Sequence, residues 1–131
     1  MTADNHPKDS ALYEYAVIRY VPRVDREEFI NVGLIMLCKR RRWMKGEIRL
    51  NETRILAFDP KADLKRLRLQ LSLFERPDVP GRDIPVEERY RWMAAAKSAV
   101  IQVSPSHPGL LPTPDADPAE TFDRLMADLV D

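Results

Sequence analysis

The residues best suited to chemistry cluster between positions 19 and 33: Arg19, Arg23, Glu28, Asn31 and Gly33. Two cations and a carboxylate stand beside a short apolar run that contains an amide. A carboxamide inside such a run costs a few kcal/mol unless it is hydrogen-bonded. Gly33, two positions on, lets a backbone or a ligand approach closely, or marks a bulge. The group is therefore a candidate ligand or partner site, of the kind that contacts an anion or a nucleotide. A purely structural reading stands beside it. Asn31 then bonds a neighbouring loop backbone, Gly33 accommodates a bulge, and Glu28 pairs with Arg19 or Arg23.

A second group is basic. Lys39, Arg40, Arg41, Arg42, Trp43 and Lys45 place five cations and an indole in seven positions. Cations hold phosphates and an indole stacks a base, so this is a candidate nucleic-acid-binding turn. The alternative is a solvated hairpin turn whose charges block edge pairing. A third group is acidic. Asp25, Glu27 and Glu28 are close in sequence, and Asp59 can approach them in space. Such oxygens suit a hard cation, and a metal-dependent hydrolase using Glu28 and Asp59 follows as an enzymatic alternative. Arg23 and Arg26 compete for the same carboxylates.

The remaining candidates carry less. His6 lies in the lead-in and His107 in a Pro-Ser-His-Pro-Gly stretch that reads as an exposed turn. Neither has a histidine or cysteine partner at zinc spacing, so no metal site is assigned. Cys38 reads as a small buried hydrophobe at a strand end, although Lys39 beside it would lower a thiol pKa. The four glycines form no phosphate loop and no cofactor is expected.

The elements that must position these residues follow from periodicity. Leu12 to Val21 alternates with both faces largely apolar, which predicts a central strand ended by Pro22. Arg23 to Glu28 is a charged loop. Phe29 to Cys38 is a second strand, and Arg40 to Arg42 turn the chain into a third, Trp43 to Leu50, as an antiparallel hairpin. Asp59-Pro60 reads as a helix start, with Leu64, Leu67, Leu71 and Phe74 at helical spacing. The strict alternation of Leu67, Leu69, Leu71 and Leu73 argues for a strand, but leucine propensity and length favour helix. Val86 to Lys97 is a second helix, with Tyr90, Met93 and Ala94 inward. Ala99 to Val103 is a fourth strand. Ser104 to Pro118, with five prolines, is irregular. Asp117, Pro118 and Glu120 open a C-terminal helix with Phe122, Leu125, Met126 and Leu129 buried.

These elements give an α+β fold: a mostly antiparallel sheet of three to five strands covered by two or three helices. The 131 residues suit a single domain, 12–131, behind a flexible lead-in, 1–11. One cysteine precludes an intramolecular disulfide, the first ten residues lack the apolar stretch of a secretory signal, and no run reaches the roughly 18 apolar residues of a membrane span. A cytoplasmic protein is expected. Net charge is zero, yet residues 39–68 hold eleven basic and four acidic side chains while 115–131 hold six acidic and one basic. The two regions can pair within one chain or between copies, so a homo-oligomer stays open.

The stretch from Tyr15 to Pro22, then Arg26 to Leu37, carries Arg19, Tyr20, Pro22, Glu28, Asn31, Val32 and Gly33 in the pattern Arg-Tyr-Val-Pro, charged loop, Glu, short gap, Asn-Val-Gly. With Phe58-Asp59-Pro60 further on, this resembles a bacterial family, the domain of unknown function 3037. That family implies no activity. Its members often lie beside HipA-like kinase proteins, and the resemblance implies such a kinase, or another protein, as a partner. The leading expectation is a non-catalytic protein-interaction module. Nucleic-acid binding through the basic turn and metal-dependent hydrolysis are the alternatives.

Overall fold

A computed structural model describes residues 11–96 and 98–131. The expected lead-in up to residue 10, with His6, and the Lys97 end of the second helix lie outside the described residues. Strand β1 (Leu12–Tyr20) is the centre of a five-stranded antiparallel sheet. One edge pairs with β2 (Ile30–Cys38), which pairs in turn with β3 (Trp43–Ile48). The other edge is shared by β4 (Ile101–Val103) beside Ile18 to Tyr20 and β5 (His107–Leu110) beside Leu12 to Tyr15. Between them Ser104 takes the place of a ladder residue. Its backbone N–H donates to the Val17 carbonyl at 2.9 Å, and its Oγ accepts the Val17 N–H at 2.9 Å.

Both faces of the sheet are covered, as the apolar character of β1 on both sides requires. Ala16, Ile18, Tyr20, Ile35 and Leu37 pack against α1 (Glu52–Phe58), α2 (Leu64–Leu71) with its 3₁₀ extension Ser72–Glu75, and α3 (Val86–Ala95). Val17, Leu34, Met36 and Cys38 pack against Phe122, Leu125 and Met126 of α4 (Pro118–Leu129). The α+β expectation holds, with five strands and four α-helices among the described residues. The leucine-rich segment is helical, with Leu67 and Leu71 buried and Leu69 75% exposed.

Three expectations are corrected. Asp59-Pro60 does not start a helix. Asp59 closes α1, its N–H bonded to the Ile55 carbonyl, and Asp63 caps α2 through Oδ1 to the Arg66 N–H at 3.1 Å. Helix α1 itself, capped by Asn51, was unforeseen because Ile55 is its single buried residue, too few for a period to show. The segment 104–118 is not wholly irregular, and His107 is in strand β5 rather than in a turn. Pro108 is tolerated there because β5 is an edge strand.

A bulge in β2 decides where the candidate amide points. Ile18 pairs with Gly33 but Arg19 pairs with Asn31, leaving Val32 as the extra residue. Val32 and Ile30 thus join Ile35 and Leu37 on the α1–α3 face, and Asn31 is turned toward α4. Gly33 is a packing position: a Cβ there would lie 2.6 Å from Ile48 Cδ1 and 2.8 Å from the Glu47 carbonyl oxygen. On the same face of β3, a Cβ on Gly46 would lie 2.0 Å from the Phe74 carbonyl oxygen, and at the outer edge the Ile48 N–H is taken by Glu75 Oε2 at 3.0 Å. Replacing Gly33 or Gly46 by Ala is expected to lower the unfolding free energy by about 1–3 kcal/mol or more. Gly46→Ala is expected to be the worse, because backbone cannot swing aside. Urea denaturation of the two variants checks both the size and the order.

Candidate functional site

Helix α1 lies across one end of the sheet, starting beyond β3 and ending beside β1. Its two ends border two cavities, and the sequence-derived candidates divide between them. At the α1 C-terminal end, Pro22, Arg23, Arg26, Glu28, Phe58 and Asp59 line a space of about 350 Å³. At the other end, Asn31, Arg49, Asn51, Arg54 and Asp131 are the polar lining of a space of about 410 Å³. Gly33 lines neither.

The first cavity is organised by a long-range bond. The Tyr20 hydroxyl donates to Asp59 Oδ2 at 2.6 Å, and Asp59 Oδ1 accepts the Lys61 N–H at 3.3 Å. Burial pushes the Tyr20 phenol up to about 12, and the hydrogen bond and charge of Asp59 add to this. The Arg-Tyr-Val-Pro and Phe-Asp-Pro stretches are thereby joined across 39 positions. Around that bond the charged groups pair locally and at the surface. Arg23 Nη2 donates to Asp25 Oδ2 at 2.7 Å, and Arg26 pairs with Glu28. The hydrogen bond from Arg26 holds the Glu28 carboxyl below its ordinary range. Glu28 therefore pairs with Arg26, not with Arg19 or Arg23 as the structural reading expected, because Arg26 lies two residues away on the same loop. Arg19 instead lies over the Phe29 ring, 4.2 Å from its centroid. Glu28 and Asp59 do border one cavity, but no three His, Cys, Asp or Glu side chains among the described residues are grouped to hold a metal ion.

The second cavity is organised by the end of α4. Asn31 Nδ2 donates to the Leu129 carbonyl at 2.8 Å, Arg54 Nη1 to the Val130 carbonyl at 3.0 Å, and Arg49 Nη1 to Asp131 Oδ2 at 2.6 Å. Three donors from β2, α1 and the segment between β3 and α1 thus take three successive acceptors. The amide bonds a helix end rather than a loop. This also shows one way the basic and acidic regions meet, within a single chain.

The basic turn does not act as one surface. Lys39–Arg41 is a 3₁₀ turn, closed by Arg42 in the left-handed region at φ 49°. Arg41 is bound to the carbonyls of Pro114 and Ala116 at 3.0 and 2.8 Å. Trp43 packs edge-on against Phe122, and Lys45 lies over that ring while pairing with Glu47 at 3.4 Å. Lys39, Arg40 and Arg42 remain together on a separate groove. Cys38 is fully buried, its Sγ 3.4 Å from the Leu12 carbonyl, and burial pushes the thiol up. His107 is exposed and stacks obliquely near Tyr15, ring centroids 5.3 Å apart.

Over residues 15–130 the chain matches the family described as protein of unknown function (DUF3037). It belongs to that family. No curated protein and no solved structure matches it significantly. In this DUF3037 chain, Arg49 and Arg54 are the cavity-lining cations that sequence reasoning missed. Only their place in the basic region hinted at them, since their acceptors lie some 80 residues away.

Two measurements test the geometry. Tyr20→Phe is expected to cost about 1–2 kcal/mol of stability. The native phenol holds its proton up to about 12 against 10.0 for the free group, so its contribution is complete below pH 10 and is lost as pH rises through 12. Unfolding free energies measured across that window should fall less steeply in Tyr20→Phe. Asn31→Asp places a carboxylate against the Leu129 carbonyl and is expected to cost about 1–3 kcal/mol at neutral pH. The loss should be smaller at acid pH, where the new carboxyl is protonated and can donate; equal losses at both would count against the assigned contact.

Proposed function

We propose that the chain is a non-catalytic protein-interaction module that presents the β1–β2 end of its sheet to a partner. The observation that carries this reading is the composition of that end. Val24, Phe29 and Phe58 are 56, 44 and 36% exposed, and Arg23 and Arg26 stand among them. Aromatic and arginine side chains are the types enriched at protein interfaces. The ion pairs Arg23–Asp25 and Arg26–Glu28 are solvent-exposed, and such pairs contribute little, so both guanidiniums can be taken over by carboxylates of a partner. Tyr20–Asp59 and the stack of Arg19 on Phe29 hold the platform in place. A protein with an acidic docking face fits this surface, and a HipA-like kinase is the first to try.

Calorimetry of the purified chain with a HipA-like kinase is expected to show binding at about ten micromolar or tighter. Arg23→Glu combined with Arg26→Glu should weaken it at least about tenfold without altering the circular dichroism spectrum. Absence of heat at about 100 µM would remove this kinase as the partner, and binding indifferent to the double variant would remove this surface.

A further inference from the structure

A further space lies away from both ends of α1. It is a groove of about 1070 Å³ between the 3₁₀ turn after β2 and the segment leading into α3. Lys39, Arg40 and Arg42 form one wall, and all three side chains are exposed. Arg41, in the middle of the run, instead bonds two carbonyls of the segment before α4 and does not line the groove. Lys39 and Arg42 have no ion pair or side-chain hydrogen bond among the described residues, whereas Arg40 already has a partner of its own. The facing wall is of a different kind. Ile84, Pro85 and Val86 give it an apolar strip, and Asp83 and Glu87 flank that strip with carboxylates.

Three chemistries are thus placed in one space: a cationic wall, an apolar strip and a pair of hydrogen-bond acceptors. Cations hold phosphates, carboxylates accept from sugar hydroxyls, and an apolar strip covers the face of a base. A bare anion would leave the apolar strip unused and would meet Asp83 and Glu87 unfavourably. A ligand that carries phosphates at one end and hydroxyls and a flat ring at the other uses every wall. We propose that this groove binds a nucleotide, with its phosphates on Lys39 and Arg42 and its nucleoside against Ile84, Pro85 and Val86. The site is independent of the protein-docking surface at the β1–β2 end.

Calorimetry of the intact chain against ATP, inorganic triphosphate and an unstructured single-stranded DNA oligonucleotide tests this. ATP is expected to bind below about 1 mM and more tightly than triphosphate. Lys39→Glu with Arg42→Glu should weaken ATP at least about tenfold, whereas Lys65→Glu with Arg66→Glu, on α2, should not. Ile84→Ala should weaken ATP while leaving triphosphate unchanged, which reports the nucleoside contact and not the charge. The proposal is overturned by no ATP binding at about 1 mM, or by equal loss in both charge-reversal pairs. It is equally overturned by ATP and triphosphate binding alike, or by DNA binding tighter than ATP with a loss on the Lys39 and Arg42 changes, which would make the groove a nucleic-acid surface.

Discussion

Strand β1 is paired on both edges and packed on both faces, and the rest of the molecule is arranged by that constraint. A strand enclosed in this way leaves no backbone group that water can satisfy, so each one needs a partner from the chain. Where β4 and β5 leave a gap, Ser104 supplies a backbone donor and a side-chain acceptor to Val17. The polar side chains of β1 are accommodated one by one. Glu14 accepts from Ser106, which also bonds Tyr90, and Arg19 is laid over Phe29. Tyr20 sends its hydroxyl to Asp59 and so fixes where α1 ends.

The bulge opposite Ile18 and Arg19 passes this constraint to the second strand. With Val32 as an extra residue, β2 buries Ile30 and Val32 on the same side as Ile35 and Leu37 while Asn31 crosses to α4. That single change of side seats the last turn of α4 on Asn31, Arg49 and Arg54. The sheet face, the bulge and the helix end are links in one chain of cause. The β1–β2 end and the basic turn lie outside these links, and both carry exposed arginines.

The parts legible from sequence are those written in local pattern. The alternation in β1 and β2, the leucine period of α2, the cap of α4 and the hairpin from β2 to β3 all express burial or capping within a few residues. The Asp59 reading failed because an Asp-Pro pair looks the same whether Asp caps the following helix or closes the preceding one; the Tyr20 hydroxyl decides, and it is 39 residues distant. Strand β5 escaped because proline normally argues against a strand, and its tolerance depends on β5 being at an edge. Likewise the division of the basic run, with Arg41 turned to the α4 side and Lys39, Arg40 and Arg42 to the groove, is set by carbonyls more than 70 positions later. Charge composition marked the region, but only tertiary structure assigned its members.

The two outer edges of the sheet are closed in different ways. Along β3 Glu75 Oε2 occupies the Ile48 N–H. Along β5, Pro108 removes a donor. Such features make an edge a poorer template for another strand, whether from a neighbouring copy or from a peptide. The side-chain surfaces beside these edges can change residue by residue without disturbing the ladder beneath.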